Sequence, residues 1–300
     1  MGTRVPAPGR VTGGPATIPS ARALLAKAAD ENFAVAPWFV GPRLRRELNS
    51  LYGFARLVDD LGDEAAGDRL SLLDWAEAEL ERAAAAAAPH PVFAALAPTI
   101  RRHDLDLGPF RDLIEANRID QRVTRCATFA DLLGYCERSA NPVGRVVLAI
   151  LGASTPERGR WSDQVCSALQ VVEHLQDVGE DMTRGRVYLP ADDLSASGCS
   201  LEDLVAATAS TALRGVVAAQ AARADHLLAA AIPLTASLRG RARLLIAGFA
   251  AGGAAVIDAL AAADHDVLRV DVRAKKADVV RHTGRILRAA HRVRRAGRGE

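Results

Sequence analysis

The apolar positions of this 300-residue chain repeat with the period of an α-helix through most of its length. The clearest stretch starts at Leu44 and continues with Leu48, Leu51, Ala55 and Val58. Steps of three and four residues place all five side chains on one helix face. This spacing predicts a helix with an apolar stripe against a core.

Similar amphipathic stretches occur further along the chain, separated by breaks rich in proline and glycine. The stretches cover residues 68–88, 110–120, 129–137, 143–152, 162–182, 201–231 and 239–263. The breaks fall at Gly41-Pro42, Pro89 to Pro91, Gly108-Pro109, Asn141-Pro142, Gly152 to Pro156, Gly198 and Pro233. Strands do not alternate with helices in this pattern, and no linker separates two distinct halves. The pattern predicts an all-α, single-domain fold of about ten helices.

The two ends of the chain differ in composition from the middle. Residues 1–19 are rich in Gly, Pro and Thr and lack the apolar core of a signal peptide, which predicts a disordered leader. Residues 20–285 are predicted to form the all-α domain, and residues 286–300 a basic tail. The longest apolar run, from Leu244 to the residue before Asp258, has fourteen residues. A membrane span needs roughly 20, so the run predicts a buried core helix.

The charges nearly cancel over the whole chain but not along it. The 38 basic and 36 acidic side chains leave a net charge of +2, which argues against a protein that binds nucleic acid with its whole surface. Residues 271–300 carry ten basic and three acidic side chains, a charge of +7, so the remainder carries −5. The tail is either a solvated helix end or a surface for peripheral contact with an anionic membrane. The four cysteines include no C-x-x-C pair, which indicates reduced thiols in a cytoplasmic protein. If the basic tail binds membrane, it would bring this cytoplasmic protein to the inner face of the membrane.

Two acidic clusters lie on predicted helices. The first contains Asp59 and Asp63, and the second contains Asp177 and Asp181. Within each pair the carboxylates are four residues apart and share a helix face. Folding alone gives no reason for such pairs, whereas Mg²⁺ binds carboxylate oxygens together with substrate phosphates. Two interpretations remain open. In one, the clusters hold two or three magnesium ions that bind a diphosphate; in the other, both clusters are solvated acidic helix ends.

The residues before the two acidic pairs repeat one arrangement. Tyr52 and Arg56 precede the first pair on the same helix face. Gln170 and His174 precede the second pair in the same register, and Glu173 lies beside them. Arg56 suits either an ion pair or a phosphate, and His174 is most simply a satisfied helix residue.

Further candidates come after the second cluster or lie between the two. Arg184, Arg186 and Tyr188 occupy a glycine-containing turn, where an arginine suits either diphosphate oxygens or solvent. Tyr135 lies on an apolar stretch, where a tyrosine belongs more often to a core than to a site. No glycine-rich nucleotide-binding loop is visible, so NADPH is not expected.

At these positions the sequence resembles the squalene/phytoene synthase family. The matching segments are residues 52–64, 135–145 and 170–190, in the same order and spacing. Within the family it is most similar to the hydroxysqualene synthases of the bacterial hopanoid pathway, through residues 31–35 and 139–145. The resemblance implies an isoprenoid synthase-type helical bundle with a central prenyl-diphosphate pocket.

The resemblance also implies a reaction. It is the Mg²⁺-dependent conversion of presqualene diphosphate to hydroxysqualene with release of pyrophosphate, by a pathway enzyme that can have pathway-enzyme partners. One alternative is a head-to-head prenyl transferase that makes presqualene diphosphate, squalene or phytoene. Another, from a different class, is a non-catalytic all-α scaffold.

The resemblance assigns roles to individual residues. The catalytic aspartates and Glu173 become the metal ligands: Asp59, Asp63, Glu173, Asp177 and Asp181. Eight others become substrate-binding residues: Tyr52, Arg56, Tyr135, Asn141, Gly144, Gln170, Arg186 and Tyr188. Two positions depart from the family, since Glu173 replaces a common metal-binding Asn and Gln176 replaces a common Arg. Either change can alter the number of metal ions or the affinity for diphosphate.

Overall fold

The computed structural model describes residues 18–29, 31–32 and 34–296, and this part of the chain is all-α. Its helices are α1 (Ala21–Ala26), α2 (Pro42–Asp63), α3 (Arg69–Ala84), α4 (Pro91–His103), α5 (Gly108–Asp120), α6 (Phe129–Ser139), α7 (Asn141–Ile150), α8 (Pro156–Gln176), α9 (Val178–Thr183), α10 (Ala191–Ala196), α11 (Thr211–Leu228), α12 (Ala231–Ser237), α13 (Gly240–Ala262) and α14 (Lys276–Ala296). Three short 3₁₀ helices cover Lys27–Ala29, Trp38–Val40 and Glu202–Val205. The one β-type contact in the described residues is an isolated bridge between Arg125 and Val187.

The helices are more numerous and shorter than the periodicity predicted. The stretch 162–182 is two helices, because the helix breaks at Asp177 between α8 and α9. The stretch 201–231 holds a 3₁₀ helix, α11 and the start of α12. The predicted number of about ten helices was therefore low, since tertiary contacts interrupt stretches whose apolar period continues.

The predicted leader and tail can be compared with the described residues. Residues 1–17 of the predicted leader lie outside the described residues. The predicted boundary between residues 285 and 286 falls inside α14, which continues without a break to Ala296. Ala290 in that helix is fully buried.

Helix starts are explained by local chemistry. Gly41 adopts a φ of +88° before α2, which is strained for a residue with a side chain, and Pro42 occupies the first helical turn. Thr155 caps α8 by accepting a hydrogen bond from the Arg158 amide, with Pro156 next to it. The helix that carries the first acidic pair and the helix that leads into the second therefore have defined beginnings.

Two apolar clusters form the core. One joins α2 to α3, α4 and α5, and at its centre the ring of Phe54 meets Phe93 and Phe110 edge to face, with centroids 5.7 and 5.3 Å apart. The other lies between α8, α11 and the second half of α13. Helix α8 contacts α7, α11, α12 and α13. The acidic residues at its end are thus held by neighbours on several sides.

The apolar run from Leu244 lies within α13. By length and composition this helix could cross a membrane, and 56% of its most apolar window is buried inside the fold. It packs against α8, α11, α12 and α14. This is the packing of a core helix, as the length of the run predicts.

Candidate active site

Two connected chambers lie between the helices. The polar chamber, about 480 Å³, is bounded by the ends of α2 and α8, by α5, α9 and the segment 271–273. The apolar chamber, about 250 Å³, is bounded by α2, α7, α8 and α13. Both share wall residues, among them Arg56, Asp59, Gln170 and Glu173. A molecule with a charged head and an apolar body fits across this junction.

The first acidic pair lies on the last two turns of α2, as predicted. Asp59 projects into the junction, where solvent reaches it although protein surrounds it, and Asn117 donates a hydrogen bond to it over 3.2 Å. Desolvation by that protein raises the pKa of Asp59 to about 7, and the nearby carboxylate of Asp63 contributes to the rise. Asp63 forms an ion pair of 2.5 Å with Arg186, which links α2 to the turn after α9.

Arg56 forms an ion pair with Asp60, the residue that follows Asp59 in the sequence. Its Nε lies 3.1 Å from Asp60, which is buried and also accepts a hydrogen bond of 2.9 Å from Lys27. Glu64 completes this cluster, whose four residues also line the polar chamber. Asp60 therefore pairs with both cations, while Asp59 has no ion pair within 4 Å among the described residues, although the Arg56 charge is close enough to lower its pKa.

The second acidic pair lines the polar chamber on both sides of a helix break. Asp177 separates α8 from α9, and its carbonyl accepts a bond of 2.8 Å from the Asp181 amide, which preserves the turn. Protein desolvation, together with the charge of Asp181, raises the pKa of Asp177 to about 6. Desolvation and the carboxylate of Glu31 raise the pKa of Glu173 to about 8. Asp177 and Asp181 both line the polar chamber, although the predicted continuous helix is interrupted at Asp177.

Asp120, which was not among the predicted site residues, binds two tyrosines that line the polar chamber. Asp120 accepts hydrogen bonds from the hydroxyls of Tyr135 (2.7 Å) and Tyr188 (3.2 Å). The ring of Tyr188 stacks on His174 with centroids 3.8 Å apart. His174 lies 3.2 Å from Gln170 and 3.7 Å from Asp181. His174 is thus a satisfied helix residue, as predicted, and also a link between the second acidic pair and the tyrosines.

The profile of the squalene/phytoene synthase family matches residues 26–278. The chain belongs to the squalene/phytoene synthase family. It is therefore an enzyme of the type that processes prenyl diphosphates, and the scaffold alternative is set aside.

Within the family, the chain is similar to several hydroxysqualene synthases and to a solved squalene synthase structure. The chain is 38% identical to the hydroxysqualene synthase of Sinorhizobium fredii over 207 residues, 66% of this chain and 68% of that one. It is 38% identical to the hydroxysqualene synthase of Rhodopseudomonas palustris over 216 residues, 70% and 72% of the two chains. The solved structure of squalene synthase HpnC from Alicyclobacillus acidocaldarius matches with a TM-score of 0.74 and 42% identity, over 82% of this chain and 93% of that one. The fold is the all-helical isoprenoid synthase fold.

Of the substrate-binding candidates in this family member, only Asn141 lines neither chamber. It is buried, and its side-chain oxygen accepts a hydrogen bond of 3.0 Å from Ser167 between α7 and α8. Gly144 lines the apolar chamber, and a Cβ there would lie 2.4 Å from Ser162 Oγ and 2.5 Å from Cys166 Sγ. Glycine at this position lets α7 and α8 approach closely.

Tyr52 and Gln176 connect the chambers to segments that the motifs do not include. The Tyr52 hydroxyl donates to Glu31 over 2.9 Å at the junction. The Gln176 amide donates to the Val272 carbonyl over 2.5 Å and accepts from Asn32 over 2.7 Å. Gln176 thus holds together two segments at the mouth of the polar chamber.

Asn117 and Asp120 had a weak signal in the sequence. They lie three residues apart on the predicted helix 110–120, on the same face as Leu113, so two polar groups interrupt an apolar stripe. Lys27 and Glu31 carried no such signal, because they precede the first long helix.

The donor set of this enzyme suits a magnesium ion that also binds substrate. Within the described residues, no group of three or more acidic, His or Cys side chains converges closely enough to hold an ion alone. Asp59, Glu173 and Asp177 nevertheless present oxygens to one chamber, and none of them forms an ion pair within 4 Å in the described part of the chain. Mg²⁺ typically takes one or two carboxylates and completes its shell with water and phosphate oxygens. The chamber therefore fits magnesium ions shared with a diphosphate.

Proposed function

We propose that this enzyme converts presqualene diphosphate to hydroxysqualene with release of pyrophosphate. The observation that carries the proposal is the junction at Asp59 and Glu173, where oxygen ligands meet an apolar chamber. A C30 diphosphate has matching parts, a charged head and two apolar arms. Among the reactions of the family, similarity to the hydroxysqualene synthases favours this one.

The diphosphate would lie in the polar chamber. Asp59, Asp63, Glu173, Asp177 and Asp181 would hold two or three Mg²⁺ ions with it. Bound Mg²⁺ stabilises the negative charge that develops on the departing diphosphate. Arg56 lies at the wall of the chamber and Arg186 at its floor, and both can contact phosphate oxygens. Arg186 would then exchange part of its contact with Asp63 for the substrate.

The apolar chamber would hold the hydrocarbon while the cation rearranges. Its walls include Leu51, Val143, Val165, Leu169 and Phe249. These side chains exclude bulk water, which would otherwise capture the cation too early. Tyr52 faces this chamber and Tyr135 the polar one, and their rings can stabilise a nearby cation. A water molecule that adds to the cation from the junction would form the alcohol once it passes a proton to the released pyrophosphate.

Product analysis tests the proposal. Purified enzyme is incubated with presqualene diphosphate, with and without Mg²⁺ and NADPH, and the extract is analysed by gas chromatography and mass spectrometry. We expect hydroxysqualene only when Mg²⁺ is present, with no change on adding NADPH. Squalene formed with NADPH, or unconsumed presqualene diphosphate, would refute the assignment.

Head-to-head condensation is the second candidate. A phytoene synthase of Synechococcus elongatus is 37% identical over 174 residues, although these cover only 53% of this chain. Incubation with farnesyl diphosphate alone, and separately with geranylgeranyl diphosphate, decides between the two. Presqualene diphosphate or phytoene from these substrates would replace the first proposal.

Thermal stabilisation tests the metal-binding step separately from turnover. Mg²⁺ added with an unreactive diphosphate analogue should raise the Tm of the wild-type enzyme. It should not raise the Tm of Asp59→Ala or Asp177→Ala, which should keep their helical circular dichroism but lose turnover. Retained activity in both variants would exclude the carboxylates as metal ligands.

A further inference from the structure

A basic groove lies on the opposite end of α14 from the polar chamber. It measures about 600 Å³ and runs between the first turn of α13 and the second half of α14. Within the described residues no acidic side chain lines the groove. Five basic side chains do, namely Arg243, Arg288, His291, Arg292 and Arg295. The apolar side chains of Leu244 and Leu287 contribute the rest of its surface. The basic groove is thus a cationic surface with an apolar component.

Among the described residues, no acidic side chain forms an ion pair with the basic side chains of this groove. At the start of α14, Arg281 forms ion pairs with Asp258 and Asp278. Further along, Arg288 and Arg292 are exposed and have no acidic side chain within salt-bridge distance among the described residues. A negatively charged partner would therefore meet free cations.

A large aromatic side chain is exposed near the same end of α13. Trp38 is 83% exposed, the highest value among the exposed large apolar side chains of the described residues. Its short 3₁₀ helix is tied to the first turn of α13, where Arg241 donates to the Val40 carbonyl over 3.3 Å. Val293 on α14 is also 48% exposed. A tryptophan and basic residues at the same end of a helix are typical of a surface that rests at a membrane interface.

We propose that the basic groove and Trp38 form a docking surface for the anionic phospholipid face of a bilayer. Each basic residue near an anionic membrane increases partition about fivefold, and the exposed Trp38 adds apolar contact. An exposed tryptophan and two leucines favour lipid over nucleic acid, which would meet only the arginines. This inference does not depend on which prenyl diphosphate the enzyme converts.

Vesicle sedimentation with the full-length protein tests the docking surface. Vesicles of phosphatidylcholine alone are compared with vesicles that also contain phosphatidylglycerol. We expect binding to the anionic vesicles, weakened by added salt because the charges are exposed. The double variant Arg288→Glu, Arg292→Glu should lower partition about tenfold or more, and Trp38→Ala should lower it severalfold.

A matched variant separates this surface from net charge. Arg101 and Arg122 are exposed on α4 and after α5, away from the groove. The variant Arg101→Glu, Arg122→Glu makes the same change in net charge and should bind vesicles as the wild type does. Equal losses in both double variants, or equal binding to both vesicle types, would overturn the proposal.

The same variants test nucleic acid as the other occupant. A short RNA should not displace the protein from anionic vesicles. If it did, with a dependence on Arg288 and Arg292 but none on Trp38, the groove would be a nucleic-acid surface instead. Circular dichroism and turnover in detergent should be unchanged in the groove variants, since neither arginine lines a chamber.

Discussion

Glu173 is the metal-ligand candidate that departs from the family pattern. It lies at the junction between the chambers with no ion pair within 4 Å among the described residues, and desolvation by the surrounding protein raises its pKa to about 8. A carboxylate there supplies a metal ligand but also repels Asp59 and Glu31, two of the charges that raise its pKa. The repulsion between these carboxylates is therefore relieved either by protonation of Glu173 or by a bound cation.

We expect Glu173→Gln to separate the two effects. Above pH 8, the metal-free variant should have a higher Tm than the wild type, because a neutral amide replaces a poorly solvated carboxylate. The Mg²⁺ concentration for half-maximal activity should rise severalfold, since one oxygen ligand loses its charge. Glu137→Gln, on the exposed face of α6, is the matched control and should change neither quantity. A lower metal-free Tm in Glu173→Gln would contradict this account.

The chamber carboxyls also predict how the metal-free protein responds to pH. Desolvation by the surrounding protein raises the pKa of Asp177, Asp59 and Glu173 to about 6, 7 and 8. Between the ordinary carboxyl pKa near 4 and these values, the folded state binds more protons than the unfolded state. The free energy of unfolding should therefore fall as pH rises from about 4 to 8.

Thermal melts in chelator from pH 5 to pH 9 measure this dependence. With Mg²⁺ and a diphosphate analogue the decline should be smaller, because the ions compete with protons for the same oxygens. For the same reason, added Mg²⁺ should move the acidic limb of the activity profile to lower pH. A metal-free Tm that rises across this range would show that other groups dominate.

At the scale of helices, the contact between α2 and α5 sets the position of Asp59. A Cβ at Gly62 would lie 2.1 Å from the Asn117 side-chain oxygen, so glycine is required for the approach. We expect Gly62→Ala to cost about 1–3 kcal/mol of stability and to lower activity, since Asn117 would lose its bond to Asp59. Gly134, in α6 with nothing near its Cβ position, provides the control. Gly134→Ala should stabilise by about 0.5–1 kcal/mol and leave activity intact, as calorimetry and a turnover assay can verify.

The sequence predicts a feature well when the residues that form it are close together in the chain. The stripe on α2 and the shared face of Asp59 and Asp63 depend on a spacing of four residues, so the pattern predicts them. The break at Asp177 has neither Gly nor Pro, and only the preference of Asp for helix ends indicated it. The contacts of Asp120 with Tyr135 and Tyr188 join positions up to 68 residues apart. Such contacts arise from packing, which periodicity does not specify.

At the scale of the whole molecule, the net charge of +2 results from the near cancellation of an acidic region and a basic region. The acidic chamber draws on α2, α8 and α9, and the basic groove on α13 and α14. If both proposals hold, the enzyme meets a membrane with one end while the other binds the diphosphate. An apolar product then leaves a protein that is already next to lipid.

The extent of the folded domain gives a last test, because the sequence placed its end at residue 285. In the structure, α14 packs on α12 and α13 beyond that point: Ala290 is fully buried and the Leu287 carbonyl accepts a bond of 2.9 Å from Arg243. Removing residues 286–300 should therefore lower the free energy of unfolding by about 2 kcal/mol or more, roughly the value of one buried aliphatic side chain. Removing only residues 297–300 takes away none of the described contacts and should leave the Tm unchanged. Equal denaturant midpoints for both truncations would place the end of the domain at 285 and make the rest of α14 a dispensable tail.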